Sequence, residues 1–172
     1  MKKTIVPALI LTAICLVIVS LLVVTNVLTE DRIAEAEKKA MRESAESVLS
    51  AFRLEEIDGD GANGFIGYDE NGSVVGYVLL GTAKGYGGDV TAVVGMTPEG
   101  KITGVVVKAP DETPGLGANV SKDGFTAQFV GKDKIEKYDA VSGATYSSEA
   151  ARDAVSIALS RLESVKGKEA AK

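Results

Sequence analysis

The sequence predicts an α+β fold, an antiparallel β-sheet packed with helices and preceded by one N-terminal transmembrane helix. Three patterns carry this expectation. Residues Ile5 to Leu28 contain no charged side chain. Between Phe65 and Val107, short runs rich in valine and isoleucine alternate with glycine-bearing turns. From Ser148 onward, apolar side chains return at helical spacing.

At about 1.5 Å rise per residue, the run Ile5–Leu28 is long enough to cross a hydrocarbon core of about 30 Å. Lys2 and Lys3 precede it, and Glu30 and Asp31 follow it. Lysines favour the cytoplasmic side, so the N-terminus is expected inside and the domain outside. A cleaved signal peptide fits less well, because its apolar region is usually about 7–15 residues. The small-residue candidate for cleavage, Ala34-Glu35-Ala36, lies past the apolar run in a charged segment. Lipidation at Cys15 is disfavoured by the bulky Ile14 before it, and Cys15 reads as a packing or lipid-facing residue.

Residues 31–51 are rich in Ala, Glu, Lys and Arg. Ile33, Ala36, Ala40 and Val48 recur at roughly helical spacing, and Glu35 and Lys39 form an i,i+4 pair. A loop is expected at Asp58-Gly59-Asp60-Gly61. Two hairpins follow. Phe65–Tyr68 and Val74–Leu80 flank the turn Asp69-Glu70-Asn71-Gly72, and Val90–Met96 and Ile102–Val107 flank Thr97-Pro98-Glu99-Gly100. The hairpins align at an offset of 28 residues, Gly67 with Gly95, Gly72 with Gly100 and Gly76 with Gly104. Either the unit is duplicated or two hairpins of one sheet obey the same turn rules.

The segment 108–120, with Pro110, Pro114, Gly115 and Gly117, reads as an irregular loop. Phe125, Phe129 and Val130 mark a short helix or turn. Ala151, Val155, Ala158, Leu159, Leu162 and Val165 form the apolar stripe of a last helix, with Ser147 or Ser148 as its N-cap. Four segments result: a cytoplasmic N-terminus and transmembrane anchor over 1–29, a juxtamembrane helix over 30–55, an extracytoplasmic domain over 56–166 and a flexible tail over 167–172.

Composition narrows the chemistry. The chain has no His and one Cys. Histidine acid–base catalysis, His–metal sites, an internal disulfide and an iron–sulfur cluster held by this chain alone are therefore excluded. Setting aside Lys2 and Lys3 leaves 17 basic residues against 24 acidic ones, a net of −7 outside the anchor. No basic patch suggests nucleic acid. No Gly-x-Gly-x-x-Gly follows a strand, so nicotinamide binding is not expected. Redox chemistry in such a chain falls to a bound organic cofactor.

The stretch Ser142-Gly143-Ala144-Thr145-Tyr146-Ser147-Ser148 gathers hydroxyls and one glycine just ahead of the last helix. Free N–H groups at a helix start can hold an anion. By spacing alone, a hydroxyl-rich capping loop is the better explanation of the stretch.

Asp139-Ala140-Val141-Ser142-Gly143-Ala144-Thr145 resembles the covalent flavin site of RnfG proteins, which belong to the Rnf electron-transport complex. The related NqrC proteins of the sodium-translocating NADH:quinone oxidoreductase share that site. Two further motifs accompany it in order, Gly85-Tyr86-Gly87-Gly88-Asp89 and Glu112-Thr113-Pro114-Gly115-Leu116-Gly117. The resemblance runs from the anchor to the last helix.

It implies an electron-transfer subunit of an ion-translocating ferredoxin:NAD oxidoreductase complex in a prokaryotic cell membrane. FMN would be joined through its phosphate to Thr145 by a flavin transferase, and the other membrane subunits would be partners. The implied cofactor-binding residues are Thr145, Ser142, Gly143, Ala144, Ser147, Glu112, Thr113, Leu116, Gly87, Tyr86 and Asp139. Glu112 and Thr113 would hydrogen-bond the flavin ring or ribityl chain, and Leu116 would pack on the ring. Asp139 either serves the transferase's metal during attachment or starts the loop. One departure stands out: where the family often has a His just before Glu-Thr-Pro-Gly, this chain has Lys108-Ala109-Pro110-Asp111. The alternative reading is a free-standing, membrane-anchored flavoprotein reductase or flavin-binding module.

Overall fold

The computed structural model describes residues 2–57 and 64–169. The expected loop at 58–61 lies outside the described residues. Two compact units divide the chain, Met1–Ala40 and Met41–Lys172. Helix α1, Lys2–Val48, supplies all of the first unit's described structure and enters the second with its last turns.

In the first unit, Leu9–Glu30 is long and apolar enough to cross a membrane. Its hydroxyls are not left unpaired. Ser20 donates to the Leu16 carbonyl at 2.7 Å, Thr25 to Leu21 at 2.8 Å and Thr29 to Thr25 at 2.7 Å. Each is a bond back along the same helix, which lowers the cost of placing a polar group in an apolar medium.

The second unit is built on a five-stranded antiparallel meander in sequential order. Its strands are β1 (Arg53–Glu56), β2 (Gly64–Tyr68), β3 (Val74–Lys84), β4 (Asp89–Met96) and β5 (Ile102–Lys108). Both expected hairpins form. Strand β3 runs past Leu80 to Lys84, because Gly81 to Lys84 pair with Ala92 to Asp89 of β4.

The helix expected over 30–55 does not reach residue 55. It stops at Val48, and Arg53–Glu56 becomes an edge strand on β2. The reason is tertiary. Thr103 Oγ1 donates to the Val48 carbonyl at 2.6 Å at the helix end, and the Phe52 N–H donates to the Tyr68 carbonyl at 2.9 Å.

The 28-residue offset has a structural counterpart. Gly67 pairs with Gly76 and Gly95 with Gly104, and each pair is followed by a register shift. Both turns close alike. The Gly72 N–H donates to the Asp69 carbonyl at 3.2 Å and the Gly100 N–H to the Thr97 carbonyl at 2.9 Å, with Gly72 and Gly100 at φ +80° and +91°. The two hairpins share the same glycine pairing and the same turn closure. The glycines also clear a groove: a Cβ on Gly95 or Gly104 would strike the backbone of Val48, and one on Gly67 or Gly76 would strike Leu49. The last turn of α1 packs there through Ala45 and Val48, with Leu49 just beyond it, against Val78, Leu80 and Val93.

The opposite face of the sheet carries the larger core. Two short helical pieces, α2 (Asp123–Thr126) and the 3-10 turn Ala127–Phe129, bury Phe125 and Phe129 edge to face, with ring centres 5.5 Å apart. Helix α3, Thr145–Glu169, lays Ala151, Ala154, Val155, Ala158, Leu162 and Val165 on β3 and β4. At Gly81 the backbones of helix and strand meet, since a Cβ there would strike the Ala154 carbonyl and lie 2.8 Å from the Ala158 nitrogen.

Both ends of α3 differ from the sequence reading. It begins at Thr145, ahead of the N-cap expected at Ser147 or Ser148, and it continues through Glu169 where a flexible tail was expected from residue 167. Buried Val165 and the Lys166–Glu163 contact at 3.2 Å hold the last turns.

Candidate functional site

Three loops meet at the start of α3. The first, residues 85–88, joins β3 to β4 and closes with the Gly85 N–H donating to the Gly88 carbonyl at 2.8 Å. The second is Thr113-Pro114-Gly115-Leu116. Proline at its second position, Gly115 at φ +77° and the Leu116 N–H donating to the Thr113 carbonyl at 3.1 Å mark a type II turn. The third is Val141-Ser142-Gly143-Ala144, where Gly143 at φ +75° and the Ala144 N–H donating to the Val141 carbonyl at 2.9 Å make the same type of turn. Two of the three sequence motifs are thus type II turns. The Pro-Gly pair signals the first directly.

Between these loops opens a cavity of about 390 Å³, lined by Tyr86, Thr113, Leu116, Gly143, Thr145 and Tyr146 along with Glu112, Gly117, Ala144 and Ser147. That volume is within the range of about 300–1,000 Å³ usual for small-molecule sites. Tyr86 and Tyr146 are 76% and 71% exposed, so the mouth is flanked by two open aromatic rings. Leu116 adds an exposed aliphatic wall.

Thr145 is the first residue of α3, at the cavity wall. Among the described residues, no backbone carbonyl accepts from the N–H groups of Thr145, Tyr146 or Ser147; the first such bond runs from the Ser148 N–H to Ala144 at 3.0 Å. A helix start with open N–H groups favours an anion beside Thr145.

The serines expected to cap the helix do other work. Ser148 Oγ donates to the Ala144 carbonyl at 2.8 Å and accepts from the Val141 N–H at 3.0 Å, which binds the third loop to the first helical turn. Ser147 Oγ donates to Glu112 Oε2 at 2.6 Å.

Glu112 is the hub of the site. It is 3% exposed. Its Oε1 accepts from the N–H groups of Tyr86 at 2.7 Å and Gly87 at 3.1 Å. Four glycines make room for this arrangement. A Cβ on Gly85 would strike Glu112 Oε1, and one on Gly117 would sit 2.5 Å from Oε2. On Gly87 and Gly88 it would meet Asp111. Burial pushes the Glu112 carboxyl up, but the Ser147 hydroxyl and the N–H groups of Gly87, Tyr86 and Gly88 together outweigh it. The group therefore lies below its ordinary value of 4.5 and is ionised at neutral pH.

Of the residues singled out in the sequence, Thr145, Gly143, Ala144, Ser147, Glu112, Thr113, Leu116 and Tyr86 line this one cavity. Three do not. Gly87 contributes its N–H to Glu112 instead of a wall. Ser142 is exposed, at the turn outside the cavity lining. Asp139 sits in a separate surface cleft with Asn119, Lys122 and Gln128. Its backbone is held there by Gln128, whose Oε1 accepts from the Asp139 N–H at 2.7 Å and whose Nε2 donates to the Asp139 carbonyl at 3.2 Å. Glu112, expected to bond the flavin, has partners within the chain at both of its oxygens. Sequence reasoning passed over Gly117 and Tyr146; both lie inside the quoted motifs.

A family profile described as an FMN-binding domain matches residues 85–160, and one described as the RnfG N-terminal region matches residues 1–48. The subunit designated G in an ion-translocating oxidoreductase complex from Methanosarcina acetivorans is 33% identical over 148 residues, 78% of this chain and 79% of that one. The chain belongs to the RnfG family. Another member, from the proton-translocating ferredoxin:NAD(+) oxidoreductase complex of Clostridium ljungdahlii, is 38% identical over 104 residues. That match spans 54% of this chain and 56% of the clostridial protein. Among solved structures, the subunit designated C in the Na(+)-translocating NADH-quinone reductase from Parabacteroides distasonis aligns with a TM-score of 0.50 at 21% identity, over 77% of this chain and 82% of that one. It shares the fold found in this RnfG family member.

Proposed function

We propose that this chain is the RnfG-type electron-transfer subunit of a membrane-bound, ion-translocating ferredoxin:NAD oxidoreductase complex, carrying FMN joined through its phosphate to Thr145. The observation that carries the reading is the position of Thr145, at the first residue of α3 and on the wall of the cavity between Tyr86, Tyr146 and Leu116. The residues present suit such a group. Open N–H groups at the start of α3 favour a phosphate, and the aromatic and aliphatic mouth favours a planar ring. When bound, a flavin supplies the electron-transfer chemistry that a chain without His and with a single Cys does not supply itself.

The chain's own residues position that group. Gly143 brings the backbone close beneath Leu116 without side-chain bulk. Ser148 fixes the loop, and Glu112 fixes the opposite wall. Residues 1–29 anchor the protein with Lys2 and Lys3 on the cytoplasmic side. The domain over 56–166 then faces outward, where a covalent tether keeps the cofactor from being lost. A flavin transferase makes the bond, and the other subunits of the complex exchange electrons with it.

Intact mass of the full chain, produced with and without a flavin transferase, tests the attachment. A gain equal to FMN less water, lost in Thr145→Ala, is expected. A gain that persists in that variant refutes Thr145 as the site.

A further inference from the structure

Glu112 is the one charged side chain among the described residues that line the cavity. No Lys or Arg joins it there, although the site is read as one that holds a phosphate and a ring that becomes more negative on reduction. Its charge is buried, and its two oxygens are held by three bonds from two different walls, the 85–88 loop and α3. The backbone at Gly85 and Gly117 closes around the carboxylate, so tightly that neither position has space for a Cβ. A carboxylate held from two walls in this way cannot swing out to solvent when a ring enters.

We propose that Glu112 is a positioning residue whose fixed, buried negative charge depresses the reduction potential of the flavin tethered at Thr145. This rests on the attachment proposed above. Like charges in a partly desolvated site repel strongly, so an anion in the cavity wall disfavours the added negative charge of reduction. The hydrogen bonds from Ser147, Tyr86 and Gly87 offset part of that repulsion, and they keep the anion in place.

The experiment is a potentiometric titration of the full chain in detergent, loaded with FMN by a co-expressed flavin transferase, with Glu112→Gln and Ser147→Ala beside the wild type. Glutamine keeps the shape and can accept from Tyr86 and Gly87, while Ser147 can accept from its amide. Removing the charge is expected to raise the midpoint potential, making reduction at least tenfold more favourable, about 59 mV for a one-electron step. Ser147→Ala leaves the anion with less compensation, and its potential is expected to fall. Opposite shifts mark an electrostatic role. An unchanged potential in Glu112→Gln, or shifts of the same sign in both variants, would overturn the proposal and leave a merely structural tie. Should Glu112→Gln not fold, Ser147→Ala decides by the sign of its own shift. Absence of the flavin mass from the wild type would instead overturn the attachment reading, and this inference with it.

Discussion

At the scale of single residues, the site is organised by a carboxylate that faces inward. Ser147 and the turn at Tyr86–Gly87 engage both oxygens of Glu112. Hydrogen bonds to a charged group are worth about 1.5–3 kcal/mol each. Ser147→Ala should therefore destabilise the domain by roughly that amount in a urea titration. The pH dependence has a definite sign. Because the folded Glu112 lies below its ordinary value of 4.5, its contribution to stability is fully present above 4.5 and is lost as pH falls through the lower folded value. The stability gap between wild type and Glu112→Gln should shrink over that acid window and stay constant between about pH 6 and 8. A gap that is flat down to about pH 3 would contradict the assignment. The residue types at this site were legible in the sequence; their partners were not. Glu112 and Ser147 lie 35 positions apart, and no local pattern links them.

At the scale of elements, close backbone contacts decide where the helices lie. Helix α3 touches β3 at Gly81, and the end of α1 lies in the groove cleared by the paired glycines of the two hairpins. Gly81→Ala forces a methyl group against the Ala154 carbonyl. It should cost about 1–3 kcal/mol in a chemical denaturation series with an unchanged slope. Gly124→Ala is the control, since nothing lies within 4 Å of that position, and it should stay within about 0.5 kcal/mol of wild type. The hairpins themselves were readable, because turn glycines and β-branched alternation are local signals. Strand β1 was not. The segment Arg53-Leu54-Glu55-Glu56 has no alternation that separates it from the helix before it. Pairing with β2 makes it a strand.

At the scale of the whole molecule, the chain divides into a helical unit that contains the apolar run and a folded unit. Membrane fractionation tests the anchor. The full chain should stay with the membrane through an alkaline wash, and a variant lacking residues 1–29 should appear in the soluble fraction with its fold intact. Mild-detergent purification should recover the full chain with other subunits of its complex. Recovery as a lone, active reductase would favour the free-standing alternative instead.

By itself, the sequence determined the fold class, the apolar helix, both hairpins and the three motifs that become the cavity walls. The motifs were legible by their resemblance to a family, and the rest is written in local periodicity and turn-forming residues, where neighbouring positions alone set the backbone. Only the tertiary structure decided that Thr145 begins α3, that Ser147 and Ser148 serve as ties instead of caps, and that Asp139 stands in a different cleft. It also decided which groups of the chain hold the two oxygens of Glu112. Those outcomes depend on which distant groups come within hydrogen-bond reach once the sheet is covered, and close packing at glycine settles that geometry.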